Sequence, residues 1–122
     1  MAKHLELGIK GEFIASKFLE SKGFTILEKN WRHRKAEVDI IAMDGDVLVF
    51  VEVKTRSTEM WGAPELSVSS KKEQLLADAL SVYMEQIGHT WEVRFDVVGV
   101  LLLEAGYREV RHHRDAFFPG LE

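Results

Sequence analysis

Asp39, Glu52 and Lys54 are the residues whose types and spacing could do chemistry together. Glu52 and Lys54 lie two apart in the run VLVFVEVKTR (residues 47–56), so along a strand they point to one face, with Leu48 and Phe50. Asp39 sits in the preceding run, EVDIIAM (37–43), beyond the turn residues Asp44-Gly45-Asp46. A two-residue turn at Asp44-Gly45 sets Asp39 opposite Phe50 and diagonal to Glu52. A turn one residue later sets it directly opposite Glu52. In either register the Cβ atoms lie about 5–7 Å apart, within reach of one cation. A three-residue loop would break the parity unless a bulge restored it.

Two carboxylates that close, beside apolar surface, repel each other and are costly to desolvate unless positive charge joins them. Lys54 supplies one such charge and a hard divalent ion would supply the rest. A ligand set of oxygens completed by water suits Mg²⁺ or Mn²⁺ better than zinc. Such an ion polarises a phosphoryl oxygen and activates water, and an adjacent lysine can orient or deprotonate that water. The chemistry expected is phosphodiester hydrolysis. An ordinary cross-strand ion pair at the end of a sheet would use the same three residues.

These residues need a sheet to hold them. Val47 to Thr55 is apolar on both faces at its start, which marks a central strand. Phe24 to Trp31 and Glu37 to Met43 read as the strands before it. The spacing predicts a first helix from Leu5 to Lys22, with a stripe of Leu5, Ile9, Phe13, Ala15 or Ser16 and Leu19, ended by Gly23. Gly8 and Gly11 inside it imply either a closely approaching neighbour or a helix that begins near Lys10.

After a loop over Ser57 to Leu66, a second helix starts at Ser69 or Ser70. Its stripe is Leu75, Leu76, Ala79, Leu80, Tyr83 and Ile87, and Gly88 closes it. Glu92 to Leu103 is a fourth strand and Tyr107 to His112 a last one. The order αβββαβ, with a strand added, predicts an α/β fold: a mixed central sheet flanked by helices.

The 122 residues, 46% hydrophobic, suit one domain over 1–122 with one core. Neither a membrane-spanning run nor a signal peptide is legible, so a cytoplasmic protein is expected. No cysteine is present, which excludes disulfides and thiolate metal sites. A net charge of -4 argues against indiscriminate nucleic-acid binding, yet Arg32-His33-Arg34-Lys35, Lys71-Lys72 and Arg108 with Arg111 to Arg114 are local basic clusters. His4, His112 and His113 lack a third ligand at metal spacing and are read as surface residues. Asp96 is read as structural, paired with Arg94 or a helix end. Trp31, Trp61 and Trp91 could stack on bases, but each is more simply an anchor of the fold.

Asp39, followed by Glu52-Val53-Lys54 on the next strand within αβββαβ, resembles the PD-(D/E)xK nuclease superfamily, whose core is shared by type II restriction enzymes and archaeal Holliday-junction resolvases. Gly11-Glu12, Gly23-Phe24, Glu37 to Ile41, Val49 to Arg56 and Arg94 to Val98 further resemble the YraN-like family of small bacterial proteins, over nearly the whole chain. That resemblance implies a restriction-endonuclease-like core and a Mg²⁺- or Mn²⁺-dependent nuclease acting on DNA, including branched DNA. It implies Asp39, Glu52 and the carbonyl of Val53 as metal ligands, Lys54 as the catalytic lysine, and Glu12 as a further acidic residue aimed at the site.

Glu37 shares the face of Asp39 and is expected as a supporting group. Arg34, Arg56, Lys72 and Gln74 are the candidates for DNA contacts. Lys72, or Gln74 with a one-residue offset, would approach the scissile phosphate, although a solvated first helical turn accounts for the same residues. Val38 stands where many relatives carry proline, and Lys72-Glu73 where many carry Lys-Gln. A homodimer is expected on the ground that resolvase-like relatives cut two strands, with Ala116 to Leu121 as an exposed anchor or a segment folded onto the core. The alternative is an inactive nucleic-acid-binding or assembly module that keeps the fold, suggested by the net negative charge.

Overall fold

The computed structural model describes residues 2–56, 70–102 and 108–116. In chain order the elements are α1 (Ala2–Ser21), β1 (Thr25–His33), β2 (Ala36–Asp44), β3 (Val47–Arg56), α2 (Ser70–Ile87), β4 (Val93–Leu102) and β5 (Arg108–His113). The strands form one sheet in the order β1-β2-β3-β4-β5, parallel between β3 and β4 and antiparallel elsewhere. The expected α/β architecture, a mixed sheet flanked by helices, is therefore present. The loop expected over 57–66, with Trp61, lies outside the described residues, as do 117–122.

β3 is the middle strand, and its side chains alternate between two cores. Val49 and Val51 pack under α1 with Ile14, Ala15, Leu19, Ile40, Ala42, Val98 and Val100. Leu48 and Phe50 pack under α2 with Leu76, Ala79, Leu80, Tyr83 and Phe95. Full burial of a side chain such as Phe50 or Phe95 contributes roughly 1.5–3 kcal/mol, so the strand is pinned in register from both faces. Trp31 anchors the edge of the second core, edge-on to Tyr83 at 5.1 Å between ring centroids. Trp91, by contrast, is 64% exposed.

α1 departs from the predicted stripe. Ile9 and Phe13 are 60% and 56% exposed, while Gly11, Ile14, Ala15, Ser16 and Leu19 are buried. The helix begins well before Lys10, so Gly11 marks a close approach. A Cβ there would lie 2.9 Å from Thr55 Cβ and Cγ2 and closer still to Thr55 Oγ1. Gly8 has no such neighbour. The small residues Gly11 and Ala15, not the large ones, let α1 settle onto β3. In α2, Ile87 is likewise 44% exposed rather than part of the buried stripe.

At the hairpin end of the sheet, the fully buried Asp96 accepts hydrogen bonds from Arg94 Nε at 2.8 Å, Arg94 Nη2 at 3.0 Å and the Asp115 backbone N–H at 3.0 Å. His112 Nε2 lies 2.8 Å from Oδ2, the oxygen that also accepts from Arg94 Nη2; a carboxylate only accepts, so Nε2 carries the proton. Asp44 accepts from Arg94 and Arg114, at 3.0 and 3.1 Å. Asp96 is thus structural, as expected. His112 is not a surface residue: its side chain is 3% exposed and packs edge-on to Phe18 and Phe24. Its burial follows from the partner that Asp96 offers, a contact between strands that sequence spacing does not display.

Candidate functional site

The β2–β3 hairpin turns at Gly45-Asp46, with Asp44 paired to Val47 and Gly45 in the left-handed region at φ 64°. This is the later of the two registers, with glycine at the first turn position where a positive φ is required. The paired ladder runs from that turn to Ile40 opposite Val51. Beyond it, Asp39 and Glu52 line one cleft.

The ladder changes character at its end. Ala36 and Val38 pack in the core under α2 whereas Ile40 and Ala42 pack under α1, so the alternation of β2 slips at Asp39. Asp39 Oδ2 then accepts the backbone N–H of Val53 at 2.7 Å, a side chain taking a ladder amide. Burial pushes the Asp39 carboxyl up to about 6; the Val53 hydrogen bond opposes the rise, and the nearby charges of Glu12, Glu52 and Glu37 add to it. The closeness of Glu12 follows from the packing of Gly11 on Thr55, which brings α1 over the end of β3.

Glu52 is 17% exposed and sits between two lysines. Lys54 Nζ lies 4.0 Å from its Oε2, and Lys72 Nζ, from the first turn of α2, donates a hydrogen bond to the same oxygen. The other oxygen, Oε1, is buried without a hydrogen-bond partner among the described residues. A cleft of about 380 Å³ opens over these groups, lined by Lys35, Ala36, Glu37, Asp39, Glu52, Lys71, Lys72, Leu75 and Leu76.

The fold thus brings Asp39, Glu52, Lys54 and Lys72 together, with Glu12 near enough to act on Asp39 and Glu37 on the rim, 3.4 Å from Arg32. Arg34 is exposed in the β1–β2 turn, and its neighbour Lys35 lines the cleft instead. Gln74 is exposed and does not line it. Arg56 is exposed at the end of β3, its Nη1 donating to the carbonyl of Thr55 at 3.0 Å. Sequence reasoning missed Lys35 and Lys71 as cleft residues and Lys72 as the partner of Glu52. The available signal was the basic pair at the start of the helix that crosses from β3 to β4.

Among the described residues no three His, Asp or Glu side chains gather round one point as a metal cage. The donors that remain are two carboxylates, the Val53 main chain and water, a set Mg²⁺ commonly accepts because it retains much of its hydration. The unpartnered Oε1 of Glu52 and the raised Asp39 are both polar groups that added positive charge would satisfy. Among the described residues no helix is long and apolar enough to cross a membrane.

Residues 11–100 match the Uncharacterised protein family UPF0102. The chain is 47% identical to a UPF0102 protein of Christiangramia forsetii, covering 97% of this chain and 98% of that one. It is 42% identical to one of Flavobacterium psychrophilum over 97% and 98% of the two chains. With one of Rhodococcus jostii it is 41% identical over 96% and 100%. A match of that extent, spanning the strands and helices that form the cleft, makes the chain a member of the UPF0102 family.

Proposed function

We propose that the chain is a divalent-metal-dependent nuclease of the PD-(D/E)xK type that hydrolyses DNA phosphodiester bonds, with branched or otherwise structured DNA as its substrate class. The observation that carries this reading is the meeting of Asp39 and Glu52 at one cleft, beside Lys54, where the β2–β3 ladder ends. Asp39, Glu52 and the Val53 carbonyl would hold Mg²⁺ or Mn²⁺. When bound, such an ion polarises the phosphoryl oxygen and acidifies water. Lys54 would orient the attacking water and offset charge that grows on the phosphate. Glu12 would reinforce the negative potential that recruits the ion. The water oxygen bonds to phosphorus, its proton leaves to solvent, the bond from phosphorus to the ester oxygen breaks, and that oxygen takes up a proton. Arg34, Arg56 and Gln74 stand away from the cleft and would serve flanking DNA rather than the scissile phosphate.

A second reading is a DNA-binding or assembly module that does not cleave. It is favoured by the Lys72–Glu52 contact, which already neutralises one carboxylate without a metal.

The test is cleavage of linear, single-stranded, flap and four-way-junction DNA with Mg²⁺ or Mn²⁺, by wild type, Asp39→Ala and Lys54→Ala prepared identically. Cleavage that falls by about a hundredfold or more in both variants is expected. Equal activity in all three would mark a contaminant and sink the assignment. Junction binding without cleavage, unchanged in Asp39→Asn, would establish the second reading.

A further inference from the structure

Resting on the nuclease reading, we infer that Lys72 is a built-in counter-ion which a divalent cation displaces from Glu52, freeing the ammonium group for the phosphate that follows. Lys72 Nζ holds Oε2 of Glu52 from a different element, the first turn of α2. The two ends of this contact are unequal. Glu52 is fixed in the central strand with its side chain 17% exposed, while that of Lys72 is 44% exposed on the cleft wall. The lysine is therefore the end that can leave, and its head group regains water when it does.

With Lys72 on Oε2 and a divalent cation drawn to the unpartnered Oε1, two positive centres share one carboxylate and repel each other strongly. Cation entry is thus an exchange and not an addition. Glu52 does not lose all of its fixed compensation in the exchange, because Lys54 stands 4.0 Å from the same oxygen. Lys35 and Lys71 also line the cleft, so a displaced Lys72 joins a cationic wall that a phosphate would relieve. Lys72 is in this account a positioning residue that couples metal arrival to phosphate capture. In the metal-free protein it keeps the half-buried carboxylate paired.

The experiment is calorimetric titration of Mn²⁺ into DNA-free wild type, Lys72→Met, Lys72→Arg, Lys71→Met and Asp39→Asn. Lys72→Met should bind the ion about threefold to tenfold more tightly, the scale of an ion pair of intermediate exposure. Lys72→Arg should stay near wild type, and Lys71→Met, which removes the same charge without the contact, should change affinity less than Lys72→Met. Loss of binding in Asp39→Asn places the ion in this cleft. In wild type, the Lys72 side-chain resonances should shift during a Mg²⁺ titration with the midpoint of binding, a readout that needs no variant to fold.

Binding in wild type with no gain in Lys72→Met and no Lys72 shift overturns the exchange and leaves the nuclease reading intact. Absence of binding in wild type and Lys72→Met alike overturns both. Binding by Lys72→Met alone supports the exchange in its strongest form.

Discussion

Asp39 holds the backbone N–H of Val53 at 2.7 Å, so a side-chain carboxylate stands where the β2–β3 ladder would otherwise continue through the main chain. The bond fixes a carboxylate that burial makes costly to ionise, and it fixes the backbone between Glu52 and Lys54. One contact therefore helps to set the positions of Asp39, Glu52 and Lys54.

Asp39→Asn keeps an acceptor for Val53 and removes the buried charge. Because the folded-state value of Asp39 is raised from 3.8 to about 6, the folded protein binds this proton more tightly than the unfolded chain. Its contribution to stability is fully present below about pH 4 and is lost as the pH rises through about 6. Urea denaturation should find Asp39→Asn more stable than wild type at pH 8, by up to about 2–3 kcal/mol. The gap should close below pH 4; a gap independent of pH would contradict the assignment.

Gly11→Ala tests how α1 is seated. The added methyl gains up to about 1 kcal/mol in helix propensity but meets Thr55. Overpacking at such a contact costs about 1–3 kcal/mol, so the variant should be net destabilised. Adding Thr55→Ala, which removes Oγ1 and Cγ2, should restore part of the loss. A double-variant cycle with no coupling energy between 11 and 55 would show that the helix seats some other way.

Asp96→Asn should be more damaging than any cleft substitution. Burial would raise the Asp96 carboxyl, but hydrogen bonds from His112, Arg94 and the Asp115 backbone, with the charge of Arg94, outweigh it and hold the group below its ordinary 3.8. Its stabilisation is present above that unfolded value and is lost as the pH falls through the lower folded one. Removing the charge leaves Arg94 under-compensated, and breaking a buried pair in this way costs about 3–5 kcal/mol. Denaturation at pH 7 measures it; a loss below 1 kcal/mol would show that the network is dispensable.

The order of elements and the later hairpin register were legible in the sequence because they rest on hydrophobic periodicity and on a glycine turn; the slip of β2 at Asp39 was not. What stayed hidden depends on contacts between elements. Ile9 and Phe13 satisfy helical spacing as well as Ile14 and Leu19 do; the choice between the two faces is made by Gly11, whose missing side chain gives no hydrophobic signal. The Lys72–Glu52 pairing depends on where a crossover helix lands after residues 57–69. His112 was misplaced because its burial is set by Asp96 on the neighbouring strand. The left-handed Asn30 within β1, at φ 54°, and the register shift between Ile26 and Glu28 also had no sequence signature.

Those two irregularities of β1 have a bearing on growth of the sheet. β1 is an outer strand, mostly exposed, carrying Glu28, Lys29 and Arg32. Its outer row of amides and carbonyls is broken by the shift and again at Asn30, so an incoming strand would find charge and mismatched spacing instead of a straight template. A second copy of the chain, or an aggregating neighbour, meets a poor seam along this border. The five-stranded width is thereby protected at β1.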